Sequence, residues 1–182
     1  CNIGRWRGRG TASRLSATAS VSTLGLLLTV FVVGTNAVFT PTNNYILKSA
    51  VTNCLNEDDT GNCVTFEGTV WDGGSDVYGT MDSWDVSEVT DMSRMFNGAS
   101  SFDRDLSKWN VEKVTNLGGN YDGTFHDASS FTSDLSKWNV EKVTSMSYTF
   151  SGASSFTSDL SKWNVENVLT LDSTFYGVSS FT

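Results

Sequence analysis

The chain has 182 residues, 38% of them hydrophobic, with one Pro and 16 Gly; this composition supports a packed core and argues against a collagen-like or disordered polymer. The formal net charge is −8 and unevenly placed: Arg5, Arg7, Arg9 and Arg14 are the only charged residues before residue 38, and the 8 basic and 20 acidic residues beyond it give −12. So acidic a surface repels phosphate backbones and anionic lipid, and no nucleic-acid partner is expected.

Residues 1–37 read as an export leader. The four arginines form a basic start, and Leu24-Gly25-Leu26-Leu27-Leu28-Thr29-Val30-Phe31-Val32-Val33 is an apolar stretch. Gly34-Thr35-Asn36-Ala37 then supplies small residues for cleavage after Ala37. That order is the signature of a secretory signal peptide. An uncleaved membrane anchor is the second reading, because no charge occurs in the 25 residues from Leu15 to Phe39, enough to span a bilayer. Either reading makes the rest of the chain secreted or cell-surface, with membrane contact only through that anchor.

Residues 38–77 do not repeat and are expected to form an N-terminal helical cap. Ile46, Leu47, Ala50, Val51, Cys54 and Leu55 fall on one helical stripe, with Thr42 or Asn43 able to cap its start. Cys54 and Cys63 lie 9 apart. In an exported chain a disulfide is the expected state, the alternative being two free thiols. The Gly-rich Trp71-Asp72-Gly73-Gly74-Ser75-Asp76 reads as a turn leading to the first repeat. No Asn-x-Ser/Thr acceptor occurs, so N-glycosylation is not expected.

Residues 78–182 hold about four copies of one unit. Asp105-Leu106-Ser107-Lys108-Trp109-Asn110-Val111-Glu112-Lys113-Val114-Thr115 returns at 134–144 and again from Asp159, and a looser first copy is Met81-Asp82-Ser83-Trp84-Asp85-Val86-Ser87-Glu88-Val89-Thr90. The tryptophans at 84, 109, 138 and 163 are spaced 25, 29 and 25. Four extra residues near Gly118-Gly119-Asn120-Tyr121 account for the longer interval and are expected to bulge as a loop. Trp109 and Val111 alternate as on a strand, with Leu106 and Val114 extending the apolar face. Met92, Met95, Phe96, Ala99 and Phe102 recur at three and four spacing, as on a helix, a 3₁₀ turn or an irregular arc. One strand plus one arc per copy predicts a repeat solenoid, leucine-rich-repeat-like, of α/β type or of β type with irregular or helical arcs. Aromatics at repeated slots are expected to be core: Trp over Trp, and Phe102, Phe131, Phe156 and Phe181 over one another. No closing segment is visible, so the chain is expected to be a fragment truncated at its C-terminus.

The string Tyr78-Gly79-Thr80-Met81-Asp82-Ser83-Trp84-Asp85-Val86-Ser87-Glu88-Val89-Thr90-Asp91-Met92-Ser93-Arg94-Met95-Phe96 closely resembles the BspA-like leucine-rich-repeat surface proteins. Their unit runs W-D-V-S-x-V-T-x-M-x-x-M-F. The resemblance covers residues 78–182. It departs from the family's pattern at Asn110, Asn139 and Asn164, which stand in place of Asp, and at Leu117 and Leu171. It implies an exported surface protein, often linked to adhesion, without catalytic residues.

A strand with Trp109 and Val111 inward would turn Lys108, Asn110 and Glu112 outward. Repetition then makes three columns: Lys108, Lys137 and Lys162; Asn110, Asn139 and Asn164; Glu112, Glu141 and Glu166. Like charges stacked about 4.8 Å apart repel. These columns are either solvated residue of duplication or a binding face that meets a periodic partner.

Little else offers chemistry. His126 is the sole His, too few for a His-based dyad or metal cluster. Asp103 and Asp105 could contribute to a Ca²⁺ site, but the later copies carry Thr132 and Thr157 in place of the first Asp. Neither catalysis nor a metal or other cofactor is expected. The expected role is adhesion or recognition of an extracellular protein or polysaccharide. A structural cell-wall or surface-coat protein without a discrete ligand is the alternative.

Overall fold

The computed structural model describes residues 39–63 and 80–180, which lie in one unit spanning Gly34–Thr182. The leader at 1–37, the Gly-rich turn at 71–76 and Phe181 fall outside the described residues. Among the described residues no helix is long and apolar enough to cross a membrane.

Helix α1 spans Asn44–Glu57. Asn43 starts it: its backbone is extended and its side-chain oxygen accepts the Ile46 N–H at 2.9 Å, satisfying one of the donors a helix start leaves free. Leu47, Ala50, Val51 and Cys54 form the buried stripe, while Tyr45 and Ile46 face solvent. At the far end Asp58 accepts both the N–H and the hydroxyl of Thr60, at 2.9 and 2.6 Å. Gly61, at φ 83°, completes the reversal. That turn sets Cys63 beside Cys54 at a Cα separation of 5.2 Å, and the two are joined in a disulfide.

The repeat region overturns the expected fold class. A leucine-rich-repeat-like solenoid needs a strand in each copy, and its α/β form needs helical arcs as well. Among the described residues the regular elements are α1 and one 3₁₀ turn, Met81–Ser83. There is no strand, and the copies are turn and loop.

The cause is visible around Trp109 and Val111, where tight turns sit on both sides of the alternating pair. The Trp109 N–H donates to Leu106 at 3.0 Å and the Val114 N–H to Val111 at 2.8 Å. Asp105 takes the Ser107 N–H at 2.9 Å and Asn110 takes the Glu112 N–H at 3.1 Å. The pattern recurs at Asp134 and Asn139, and at Asp159 and Asn164. Asp and Asn side chains thus give the backbone local partners in place of a ladder. What remains between copies is a line of isolated parallel bridges, Asp91 to Asn116 to Ser145 to Thr170.

The Met-Phe half fails as a helix for a different reason. Turns of three residues, Met95 to Met92, Ala99 to Phe96 and Phe102 to Ala99, keep the apolar spacing. Arg94 (φ 62°) and Gly98 (φ 75°) adopt left-handed backbone, which a right-handed helix cannot contain. The Phe96 and Gly98 N–H groups therefore leave their own segment and donate to Thr124 and His126 of the next copy, each at 2.8 Å.

Copies pack in register all the same. Phe96, Phe125, Phe150 and Phe175 form a column with neighbouring rings 5.3, 5.5 and 5.6 Å apart and nearly parallel. Phe102, Phe131 and Phe156 form a second. Trp84, Trp109, Trp138 and Trp163 are buried too, so none of these described tryptophans is free to stack on a ligand. Their indoles tie copy to copy: Trp109 Nε1 donates to Met81 (2.9 Å), Trp138 to Leu106 (3.0 Å) and Trp163 to Leu135 (2.9 Å). Buried Thr124, Thr149 and Thr174 do the same, each hydroxyl lying within 3.2 Å of a carbonyl of its own copy and one of the copy before. Dispersion, ring burial of about 150–250 Å² each and these cross-copy bonds hold the region without a sheet.

Candidate functional site

All nine residues of the proposed face are exposed: Lys108, Lys137, Lys162, Asn110, Asn139, Asn164, Glu112, Glu141 and Glu166. They occupy equivalent slots of three successive copies. The tight turns that replace the expected strand also change what each residue can do. Asn110, Asn139 and Asn164 use their side-chain oxygens to hold the N–H of Glu112, Glu141 and Glu166, each at 3.1 Å. Only their amide N–H₂ groups face outward uncommitted, so the Asn column is first a turn-former.

Lys108, Lys137 and Lys162 make no ion pair among the described residues. Each acts through space on the aspartate of its own turn. Hydrogen bonding from Ser107 holds the Asp105 carboxyl below its ordinary range, with Lys108 adding a smaller pull. The backbone N–H groups of Ser136 and Ser161 do the same first for Asp134 and Asp159.

Sequence reasoning missed the partners of the Glu column. Lys113 Nζ meets Glu88 at 2.6 Å, and Lys142 lies 4.0 Å from Glu112. Glu88 and Glu112 are thereby each offset by a Lys one copy on, which relieves the expected like-charge repulsion at those two positions. In the last copy Asn167 stands in the Lys slot and its amide donates to the Glu141 carbonyl at 2.8 Å. The signal was present in the repeat itself, where a basic residue follows Glu112 and Glu141 directly.

The remaining candidates are committed elsewhere. Asp103 accepts the N–H and hydroxyl of Thr132, at 2.8 and 2.7 Å. Asp105 is held by its own turn and faces Ser133. His126 is half-buried, with Nδ1 3.2 Å from Asn97 and 3.4 Å from Asp127. No group of His, Cys, Asp or Glu suited to a metal occurs among the described residues. At the last copy the repeat's core slots are open: Val165 and Leu171 are 45% and 53% exposed, whereas Val111 and Leu117 are buried.

An in-register array of turns, tied by indole and threonine bonds and fronted by a polar face, is what the repeat builds. The chain belongs to the family described as Mycoplasma protein of unknown function, DUF285, which matches residues 62–182. No curated protein and no solved structure matches the chain.

Proposed function

We propose that this is an exported surface protein of BspA-like type that recognises an extracellular protein or polysaccharide and performs no catalysis. The observation that carries the reading is the regular polar face. Three unpaired, exposed lysines recur at one slot, beside turns that their own Asp and Asn residues hold rigid. A charged group presented repeatedly on a pre-set backbone suits a partner that itself repeats, because little loop freedom is lost on contact. The disulfide between Cys54 and Cys63 supports an oxidising compartment, and membership of the family over 62–182 supports a surface role.

The test is a titration of labelled protein onto intact cells, before and after protease or glycosidase treatment. Saturable binding lost after one treatment is the expected result and identifies the partner's class. Reversing Lys108, Lys137 and Lys162 to Glu should abolish it with the thermal midpoint unchanged. A folded protein that binds no cell surface would instead favour a coat protein without a discrete ligand.

A further inference from the structure

We propose that the groove beside the four-residue insertion binds a neutral saccharide. The insertion sits in the one long interval of the repeat, between Trp109 and Trp138. It is pinned in place. The Leu117 and Gly118 N–H groups both donate to the Ser145 carbonyl, at 3.0 and 3.1 Å, and the Gly119 N–H donates to Ser147 at 3.0 Å. A Cβ at Gly118 would stand 2.5 Å from the Ser147 nitrogen, and one at Gly123 would strike the Tyr148 carbonyl. Glycine at these positions lets the loop lie flush on the next copy, and that contact sets Asn120 and Tyr121 over its surface.

The result is a groove of about 550 Å³ lined by Gly119, Asn120, Tyr121, Ser147, Tyr148 and Asp172, within the roughly 300–1,000 Å³ of small-molecule sites. Phe96, Phe125 and Phe150 are buried, whereas Tyr121 is 76% exposed, its ring centre 5.4 Å from that of Tyr148 and tilted by 55°. The anchored loop thus holds one face of a large ring toward solvent, with the Tyr148 ring as its neighbour. A tyrosine face takes the C–H face of a pyranose, and its hydroxyl stays available as a polar handle. The Asn120 amide and the Asp172 carboxylate are exposed and make no hydrogen bond to the described residues. They supply donors and planar acceptors for sugar hydroxyls.

Charge narrows the class. Asp172 lines the groove. Beside it Arg94 and Asp122 neutralise each other in an ion pair, which leaves the Asp172 carboxylate as the groove's uncompensated charge. Uronic or sulfated sugars meet repulsion there, and a neutral sugar does not. This site shares no residue with the lysine face and can stand or fall apart from it.

The test is electrophoresis of the intact chain through native gels that contain mannan, laminarin or xylan, with alginate as the anionic comparison. Retardation in at least one neutral gel is expected, weakened about tenfold by Tyr121→Ala, on the scale of one lost aromatic stacking contact. Asp172→Asn should weaken it less, and Asp172→Ala more. Both positions are exposed, so unchanged thermal midpoints establish that the variants fold. Absence of retardation in every neutral gel overturns the inference, as does retardation that Tyr121→Ala leaves intact. Retardation by alginate alone, or binding only to polylysine, overturns it as well. If Tyr121→Ala keeps saturable cell binding that the triple Lys→Glu variant loses, recognition runs through the lysine face alone and the groove is not its site.

Discussion

The indole of Trp138 donates its N–H to the carbonyl of Leu106, 3.0 Å away and 32 residues back along the chain. Trp109 and Trp163 make the same bond to Met81 and Leu135. Trp84 occupies the equivalent slot of the first copy, and its buried Nε1 has no hydrogen-bond partner among the described residues. Trp138 and Trp84 therefore lead to unequal expectations for one substitution. Trp138→Phe removes one of the two donors on the Leu106 carbonyl, which keeps the Trp109 N–H, and opens a small void, for about 1–3 kcal/mol. Trp84→Phe removes an unsatisfied donor and should cost at least about 1 kcal/mol less. Urea unfolding followed by circular dichroism measures both, and equal losses would mean that the indole bonds contribute nothing.

The disulfide between Cys54 and Cys63 closes a short loop at the end of α1. Replacing both cysteines by Ser should lower stability by about 2–3 kcal/mol through the freed unfolded chain. Comparing urea midpoints with and without reductant checks this on the unmodified protein. A midpoint indifferent to reductant would show the bridge to be absent in solution.

Acid should loosen the turns. Asp58, Asp105, Asp134 and Asp159 all have carboxyls held below their ordinary value of 3.8 by hydrogen bonds within their turns. The unfolded chain then binds protons more readily than the folded one. Their contribution is fully present above about pH 4 and is lost as pH falls through the lowered folded values. Thermal midpoints should drop below pH 4, and less steeply when Asp105, Asp134 and Asp159 are all replaced by Asn, which keeps an acceptor but does not titrate.

One slot demands left-handed backbone in every copy. Gly98, Gly152 and Gly177 fill it at φ 73–75°, while Asp127 does so at φ 58°. Gly98→Ala meets open space and should cost about 1–2 kcal/mol for the backbone alone. Gly152→Ala also drives a Cβ into the Asp127 side chain and should cost more. Asp127→Gly relaxes the slot and removes that contact's source, for a gain of up to about 1 kcal/mol. Three thermal melts decide the order, and a Gly98→Ala penalty above that of Gly152→Ala would reverse the argument.

A charge at one repeat slot should have two outcomes. Val111 is 2% exposed and Val165 is 45% exposed. Val111→Asp buries an unpaired carboxylate and should abolish folding or cost more than about 3 kcal/mol, whereas Val165→Asp should stay within about 1 kcal/mol. Expression yield and melting temperature separate the two. Similar damage at both sites would mean that Val165 is covered in solution.

Much of this was legible in the residues. The stripe from Ile46 to Leu55 and a cap at Thr42 or Asn43 mark α1, because three-and-four spacing and a side-chain acceptor are local properties; the structure chose Asn43 and left Ile46 exposed. The register of the four copies is equally plain from the tryptophans and phenylalanines, and so is the insertion that carries Tyr121. Less legible was the role of Asn110, Asn139 and Asn164. They read as an outward column, and they are turn-formers whose oxygens hold the next-but-one N–H. The Lys113–Glu88 pair was missed because its partners lie 25 residues apart and meet only when copies stack.

By itself, then, the sequence determined the apolar face of α1 and of the inner copies and which copy follows which, since apolar spacing and repetition need no knowledge of the backbone path; that Ile46, Val165 and Leu171 are exposed was not among what it determined. Only the tertiary structure decided how that path runs. The alternation at Trp109 and Val111 suits a strand, but Asp105, Asn110 and left-handed Arg94 and Gly98 close turns before a ladder or helix can extend. Burial patterns specify a face. Where each backbone N–H finds its acceptor specifies the element, and here the acceptors are side chains of the same turn and carbonyls of the neighbouring copy.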